Sequence, residues 1–340
     1  MNVLIAAAQG EPCAKQADRF AAAGAGILRC KRGDWESMAA LSRQDVSIIM
    51  LYAGGIPGEV IRELAPSVRC IIQMYVGYEE IDVDAATERG IMVCNNPHYG
   101  TEDVAAMALS MLMAMNRKLF YYKKKILEGG WPGKGKFIQT APYSARRLSC
   151  MTLGLIGFGN IGRKTAAMAQ GLGMRVIAWA PSAAEEAFAA AQVQRVTLDE
   201  LLTESDAISL HAHVSRETDH LINEETIARM KDGVFFINTA RSALTDEAAV
   251  LAALQSGKIA AAGIDVFDRE PLPPDHPFLH MDNVILSPHS AWHTAESVLD
   301  VDRLSAEIAL TVLRGEVPSS CVNKRALGLT QNSLHPDTPR

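Results

Sequence analysis

The stretch Leu153-Gly154-Leu155-Ile156-Gly157-Phe158-Gly159-Asn160-Ile161-Gly162 decides the fold of this chain. Leu153 to Ile156 is a short apolar run suited to a buried strand, Asn160 to Gly171 opens as a helix, and Met174 to Trp179 is again apolar and partly β-branched. Strand, glycine turn, helix and second strand thus follow one another in one compact unit. Gly157 permits the tight turn, Gly159 lets a pyrophosphate approach the backbone, and Gly162 lets helix pack on strand. Asn160 and Ile161 open a helix whose unpaired N–H groups face an anion. Glycine-rich turns also open ordinary helices, so the flanking strands are what make this a dinucleotide-binding motif.

The rest of the chain has room for a second domain. Its 340 residues and 48% hydrophobic content suffice for two cores, and strands alternating with helices imply an α/β fold with doubly wound parallel sheets. Strand candidates before the motif are Val3 to Ala8, Ser47 to Tyr52, Cys70 to Met74 and Ile91 to Cys94. After it come Ala207 to Leu210, Val234 to Asn238, Ala262 to Val266 and Val284 to Ser287. Thr101 is placed to cap a helix built on the run Val104 to Met115, which could cross between domains, and a last helix spans roughly Thr294 to Arg314. From Lys118 to Lys136 the chain is basic and glycine-rich around Trp131, an excursion that would serve as a dimer arm. The segment from Lys324 to Arg340 is polar and expected to be disordered.

Charge and cysteine usage exclude several classes. A net charge of −6 without a basic stripe argues against a nucleic-acid partner, and no run reaches the length of a membrane span. The six cysteines are dispersed, with no CxxC pair and no histidine spacing suited to zinc, so no metal is expected. They read as reduced thiols of a cytoplasmic protein.

Four ordered motifs extend the reading: Gly157 to Gly162, Asn238-Thr239-Ala240-Arg241, Asp265-Val266-Phe267-Asp268-Arg269-Glu270-Pro271, and Ser287-Pro288-His289-Ser290-Ala291-Trp292. With the loop Val76-Gly77-Tyr78-Glu79-Glu80-Ile81-Asp82, they make the chain resemble the D-isomer-specific 2-hydroxyacid dehydrogenase family, nearly collinearly from about Asp45 to Arg314. The resemblance implies two Rossmann-like domains, the substrate domain being discontinuous: 1–99 with 293–323 around a dinucleotide-binding domain at 100–292. It also implies a homodimer and a small 2-oxo or D-2-hydroxy acid as substrate.

Reducing a 2-oxo acid requires a hydride, a proton for the carbonyl oxygen and a cation for the carboxylate. Arg241, just past a strand end, has the planar fork that binds carboxylate and carbonyl oxygens together. His289 is the general acid/base candidate, because imidazole titrates near neutrality. In the resembling family Glu270 is the partner that orients this ring and favours its protonated form. Related formate dehydrogenases have Gln at that position, which argues against formate. Val76 and Gly77 resemble the loop whose backbone holds the substrate carboxylate, with Met74 and Tyr75 facing the pocket, and Trp292 would close its apolar side. Asp265 resembles the residue that meets the nicotinamide carboxamide, and Thr239 and Ala240 line the ring through backbone atoms. Taken singly these residues have plainer readings: a strand-end ion pair for Arg241, one structural histidine of nine for His289, a solvated loop acid for Glu270, a loop cap for Asp265 and simple packing for Trp292.

The sequence departs from the family in three places. Ala180 stands where NAD-linked relatives carry the acid that holds the adenine ribose, and the following Pro181-Ser182-Ala183-Ala184 lacks the Arg or Lys of NADP-linked ones. Either NAD or NADP is expected, leaning to NAD because Glu185 and Glu186 would repel a phosphate, unless Arg163 and Lys164 reach round to reverse this. The other departures are Ala106 for the usual Glu, and His98-Tyr99 for a Pro-Gly pair. Glyoxylate or hydroxypyruvate reduction is the leading expectation. A dinucleotide-sensing corepressor-like binding protein is the alternative from another class. A phosphoglycerate dehydrogenase is disfavoured because no regulatory domain follows residue 323, and phosphite oxidation is remoter.

Overall fold

The computed structural model describes residues 1–8, 10, 12–129 and 143–330. They divide into two compact units, Met1–Gly100 together with the segment from Thr294 onward, and Thr101–His293.

The first unit is built on a five-stranded parallel sheet of β1 (Asn2–Ala7), β2 (Gly26–Lys31), β3 (Val46–Leu51), β4 (Cys70–Gln73) and β5 (Met92–Asn95), in the order β2-β1-β3-β4-β5. Every residue of β3, β4 and β5 is buried, as expected for strands covered on both faces. Strand β2 escapes sequence reading because it lies at the edge, half-exposed, and breaks its apolar run with Arg29 and Lys31. The helix Ala295–Leu313 belongs to this unit. Thr294 caps it through a reciprocal pair with Ser297, and Asn96 Nδ2 donates to Ser305 Oγ at 3.1 Å. Beyond the helix, Asn323 clamps the chain to β5: its Oδ1 accepts from Val93 N–H and its Nδ2 donates to Ile91 O, both at 2.9 Å. That clamp corrects the expectation of disorder from Lys324. The chain runs on as hydrogen-bonded turns, with Leu327 N–H on Asn323 O and Leu329 N–H on Lys324 O, and residues 331–340 lie outside the described ones.

The second unit carries a seven-stranded parallel sheet ordered β12-β11-β10-β9-β6-β7-β8. Its strands are β6 (Thr152–Ile156), β7 (Arg175–Trp179), β8 (Gln194–Arg195), β9 (Ala207–Leu210), β10 (Val234–Asn238), β11 (Ile259–Ile264) and β12 (Val284–Leu286). The two-residue strand β8 is too short to leave a pattern in the sequence. Alternation sorts the core. Leu153, Leu155, Phe235 and Ile237 pack on one face with Leu109, Met111, Leu112 and Met115 of the helix Thr101–Asn116, while Ile156, Ile208, Leu210 and Phe236 pack on the other with Leu201 and Leu254. Each of these large side chains contributes about 1.5–3 kcal/mol by its burial. Thr101 is the first residue of that helix instead of its cap, and the helix belongs to the second unit. The basic stretch forms a further helix at Leu119–Leu127, whereas residues 130–142, with the glycines around Trp131, lie outside the described residues. Strand β11 ends two residues earlier than the sequence suggested, so Asp265 is the first residue beyond it.

Candidate active site

Because all seven strands of the second sheet are parallel, their C-terminal ends share one edge, and the order in which strands are added reverses between β6 and β9. Open α/β sheets bind ligands at such a switch point. The candidate residues fall along this edge in strand order: His289 after β12, Asp265 and Glu270 after β11, Arg241 after β10, the glycine turn after β6 and Ala180 after β7.

At the β6 end the glycines are required by sterics. Gly157 has φ +98°, and a β-carbon there would lie 2.4 Å from Ala212 N, while one on Gly162 would lie 2.4 Å from Gly157 O. A β-carbon on Gly159 would meet nothing within 4 Å, so this backbone faces open space. The helix Asn160–Gly171 starts there with Gly159 as its cap, which offers no side-chain hydrogen bond to the first turn. At β10, Thr239 has a buried hydroxyl with no partner among the described residues, beside Ala240, whose N–H is held by Asn238 Oδ1 at 3.0 Å. A glycine cradle, an uncovered helix start and an orphaned hydroxyl on one sheet edge fit a bound dinucleotide. His211, at the end of β9, was missed from sequence. It lies against the turn, its Nε2 is 3.0 Å from Ser209 Oγ, and burial pushes its imidazole down to about 4, so it is neutral at pH 7.

The candidate acid/base group is assembled by two loops. His289 Nδ1 lies 2.8 Å from Glu270 Oε2, and Glu270 Oε1 accepts from Phe267 N–H at 3.0 Å, which fixes the carboxylate in place. His289 sits in the left-handed region at φ 52°, held there by its N–H on Asp265 O at 2.9 Å. Asp265 holds this loop from below. Though only 1% exposed, it accepts from Ser290 N–H at 2.8 Å, Ala291 N–H at 3.0 Å and the Ser287 hydroxyl. Asp265, expected to meet the nicotinamide carboxamide, thus also shapes the turn that carries His289. Glu247 supports the neighbouring loop, accepting from His276 Nε2 at 2.9 Å.

Arg241 follows β10 with its Nη1 donating to Ala240 O at 2.7 Å and its own carbonyl accepting from Asn238 Nδ2 at 2.9 Å, so strand end and guanidinium are tied together. Trp292 packs edge-on against His293 at 5.2 Å. In the first unit, the Val76 carbonyl accepts from Asn95 Nδ2 at 2.7 Å in the loop after β4 that also holds Gly77. Met74, expected to face a pocket, is instead fully buried, and Tyr75 stands edge-on between Tyr52 and Tyr99, both at 5.3 Å. Tyr99, which stands where the family usually has glycine, supplies one of these edge contacts.

Two further cations stand on the first turns of the helix that follows the glycine turn. Lys164 pairs with Glu102 at 2.8 Å, and Arg163 donates to Asn160 Oδ1 at 2.7 Å.

Residues 109–291, more than half of the chain, match the model of the D-isomer specific 2-hydroxyacid dehydrogenase, NAD binding domain. A glyoxylate reductase of Korarchaeum cryptofilum is 38% identical over 83% of this chain and 83% of its own length. A hydroxypyruvate reductase of Blautia hydrogenotrophica is 36% identical over 82% of this chain and 86% of its own length. The crystal structure of a glyoxylate reductase from Paecilomyes thermophila superposes with a TM-score of 0.83 at 28% identity, covering 95% of this chain and 99% of that one. With its glycine cradle on a parallel sheet edge and this extent of likeness, the chain belongs to the D-isomer-specific 2-hydroxyacid dehydrogenase family, as an NAD(P)-dependent oxidoreductase.

Proposed function

We propose that this chain reduces a small 2-oxo acid, glyoxylate or hydroxypyruvate, to its 2-hydroxy acid, with Arg241, Glu270 and His289 as the catalytic group. The observation that carries the reading is the 2.8 Å contact between His289 Nδ1 and Glu270. A carboxylate on Nδ1 selects the tautomer with that proton in place and leaves Nε2 to exchange a proton with the C2 oxygen. When bound, the reduced nicotinamide supplies the hydride. Arg241 draws the substrate carboxylate and carbonyl oxygen into one plane, polarising C2. The indole of Trp292 completes the substrate contacts of this unit, and Asp265, Thr239 and Ala240 with the glycine turn contact the cofactor. The relatives' names supply the two substrates. Screening NADH and NADPH oxidation against a panel of 2-oxo acids tests this: turnover of glyoxylate or hydroxypyruvate is expected, and a flat panel points to the sensor reading.

Glu270→Gln removes the carboxylate that fixes the His289 ring through Nδ1, so kcat for reduction is expected to fall by up to about 10²-fold while NADH is still bound. An unchanged kcat in steady-state kinetics removes Glu270 from the mechanism.

Ala180, 7% exposed and directly after β7, has no side chain for the ribose hydroxyls. Ala180→Asp is expected to tighten NADH by about ten-fold, the value of a charged hydrogen bond, and to weaken NADPH by repulsion. Fluorescence titration of both nucleotides reads this out; an unchanged ratio of dissociation constants would mean that Ala180 does not lie at the ribose.

The chain is further proposed to act as a homodimer in a reducing compartment, the cytoplasm. Leu119, Phe120, Ile126 and Leu127 stand 46–76% exposed on and beside one short helix, and the six cysteines are free thiols. Among the described residues no helix is long and apolar enough to cross a membrane. Sedimentation of the purified chain gives the oligomeric state.

A further inference from the structure

The loop after β7 lacks a cation of its own, yet one reaches it from the neighbouring strand. Strand β8 pairs with β7 in parallel, Ala178 opposite Arg195, which sets Arg195 beside the end of β7. Its Nη2 donates to Pro181 O at 3.0 Å, its Nη1 lies 3.2 Å from Glu185 Oε2, and the guanidinium lies 5.4 Å from the Phe188 ring centroid. Phe188 in turn stacks at 4.5 Å on Phe158 of the glycine turn, so the arginine rests on a layer continuous with the dinucleotide cradle. The pair also changes the electrostatic argument: Glu185 is not an unopposed anion repelling a phosphate.

We infer that Arg195 determines cofactor choice: leaving Glu185, its guanidinium takes the 2′-phosphate of NADPH, so that the chain accepts NADPH as well as NADH. The inference rests on the dinucleotide reading of the site. Side chains 36% and 70% exposed form a weak, solvent-screened pair. A phosphate dianion offers the planar fork two stronger charge-assisted bonds, so exchanging carboxylate for phosphate is favourable. The aromatic face beneath the guanidinium keeps it at the loop while partners change. No side chain in Pro181 to Ala184 duplicates this charge.

The test is the ratio of NADPH to NADH dissociation constants, measured by nucleotide fluorescence on the full chain. Arg195→Gln is expected to raise that ratio about ten-fold or more, because a charge-assisted contact is lost. Arg195→Lys, which keeps the charge and the stem over Phe188, is expected to fall between the two, and Glu185→Gln to lower the ratio by freeing the arginine. An unmoved ratio in Arg195→Gln, with both nucleotides still bound, overturns the inference and leaves the dinucleotide site standing. Wild type that binds NADH and not NADPH overturns it too. Wild type that binds neither overturns the inference and the proposed function together.

Discussion

His289→Ala is expected to lower kcat for 2-oxo acid reduction by about 10²- to 10⁴-fold, the usual worth of a positioned general acid. The ring and the backbone of His289 are each held. Glu270 fixes Nδ1 at 2.8 Å, and the Asp265 carbonyl takes the His289 N–H at 2.9 Å, so no neighbour can swing in as a substitute donor without rebuilding that turn. Cofactor affinity is a separate matter. Strand β12, which ends three residues before this histidine, lies four strand positions from β6 and its glycine turn, about 19 Å at the usual interstrand spacing. The variant should therefore still bind NADH, with an affinity measurable by fluorescence titration, while turning over very little. A variant that keeps more than half of the wild-type kcat would falsify the proton-donor role of His289.

Arg241→Lys is expected to raise KM and lower kcat together, with kcat/KM falling roughly 10²-fold, although the charge is unchanged. The guanidinium is anchored by its bond to Ala240 O at 2.7 Å, and its remaining donors form a rigid fork that can hold carboxylate and carbonyl oxygens in one plane. A lysine ammonium supplies a point charge on a flexible stem and leaves C2 free to rotate out of line. Loss of binding alone would appear in KM alone, so the joint change separates positioning from simple attraction. Steady-state kinetics with glyoxylate and hydroxypyruvate read this directly. Unchanged constants would place the substrate carboxylate somewhere other than Arg241.

Much of the second unit was legible in the sequence. Leu153 to Ile156, the helix Asn160–Gly171 and the strand ending at Trp179 are local patterns of buried apolar residues around a turn that only glycines permit, and the structure has all three. The strand ends at Asn238 and Leu286 were readable to within a residue, and these carry Arg241 and His289. The half-exposed edge strand β2 and the two-residue strand β8 were not legible, because neither has an apolar run to mark it. Met74 was assigned to a pocket from its neighbours in sequence, but it is buried in the first unit.

The sequence by itself therefore determined the two-sheet α/β plan, the dinucleotide turn and the side chains proposed as acid, orienting carboxylate and cation. These rest on local requirements: φ values and close approaches that only glycine meets, and side-chain chemistry at strand ends. Tertiary structure alone decided what Asp265 and Arg195 do. Asp265 is a buried carboxylate that shapes the His289 turn across 25 residues of sequence, from strand end to loop. Arg195 brings a cation to a loop that has none, across the register of two parallel strands. A hydrogen bond between residues distant in sequence has no periodicity and no spacing rule, since its existence depends on which strands lie side by side, and that order is set by packing the whole core.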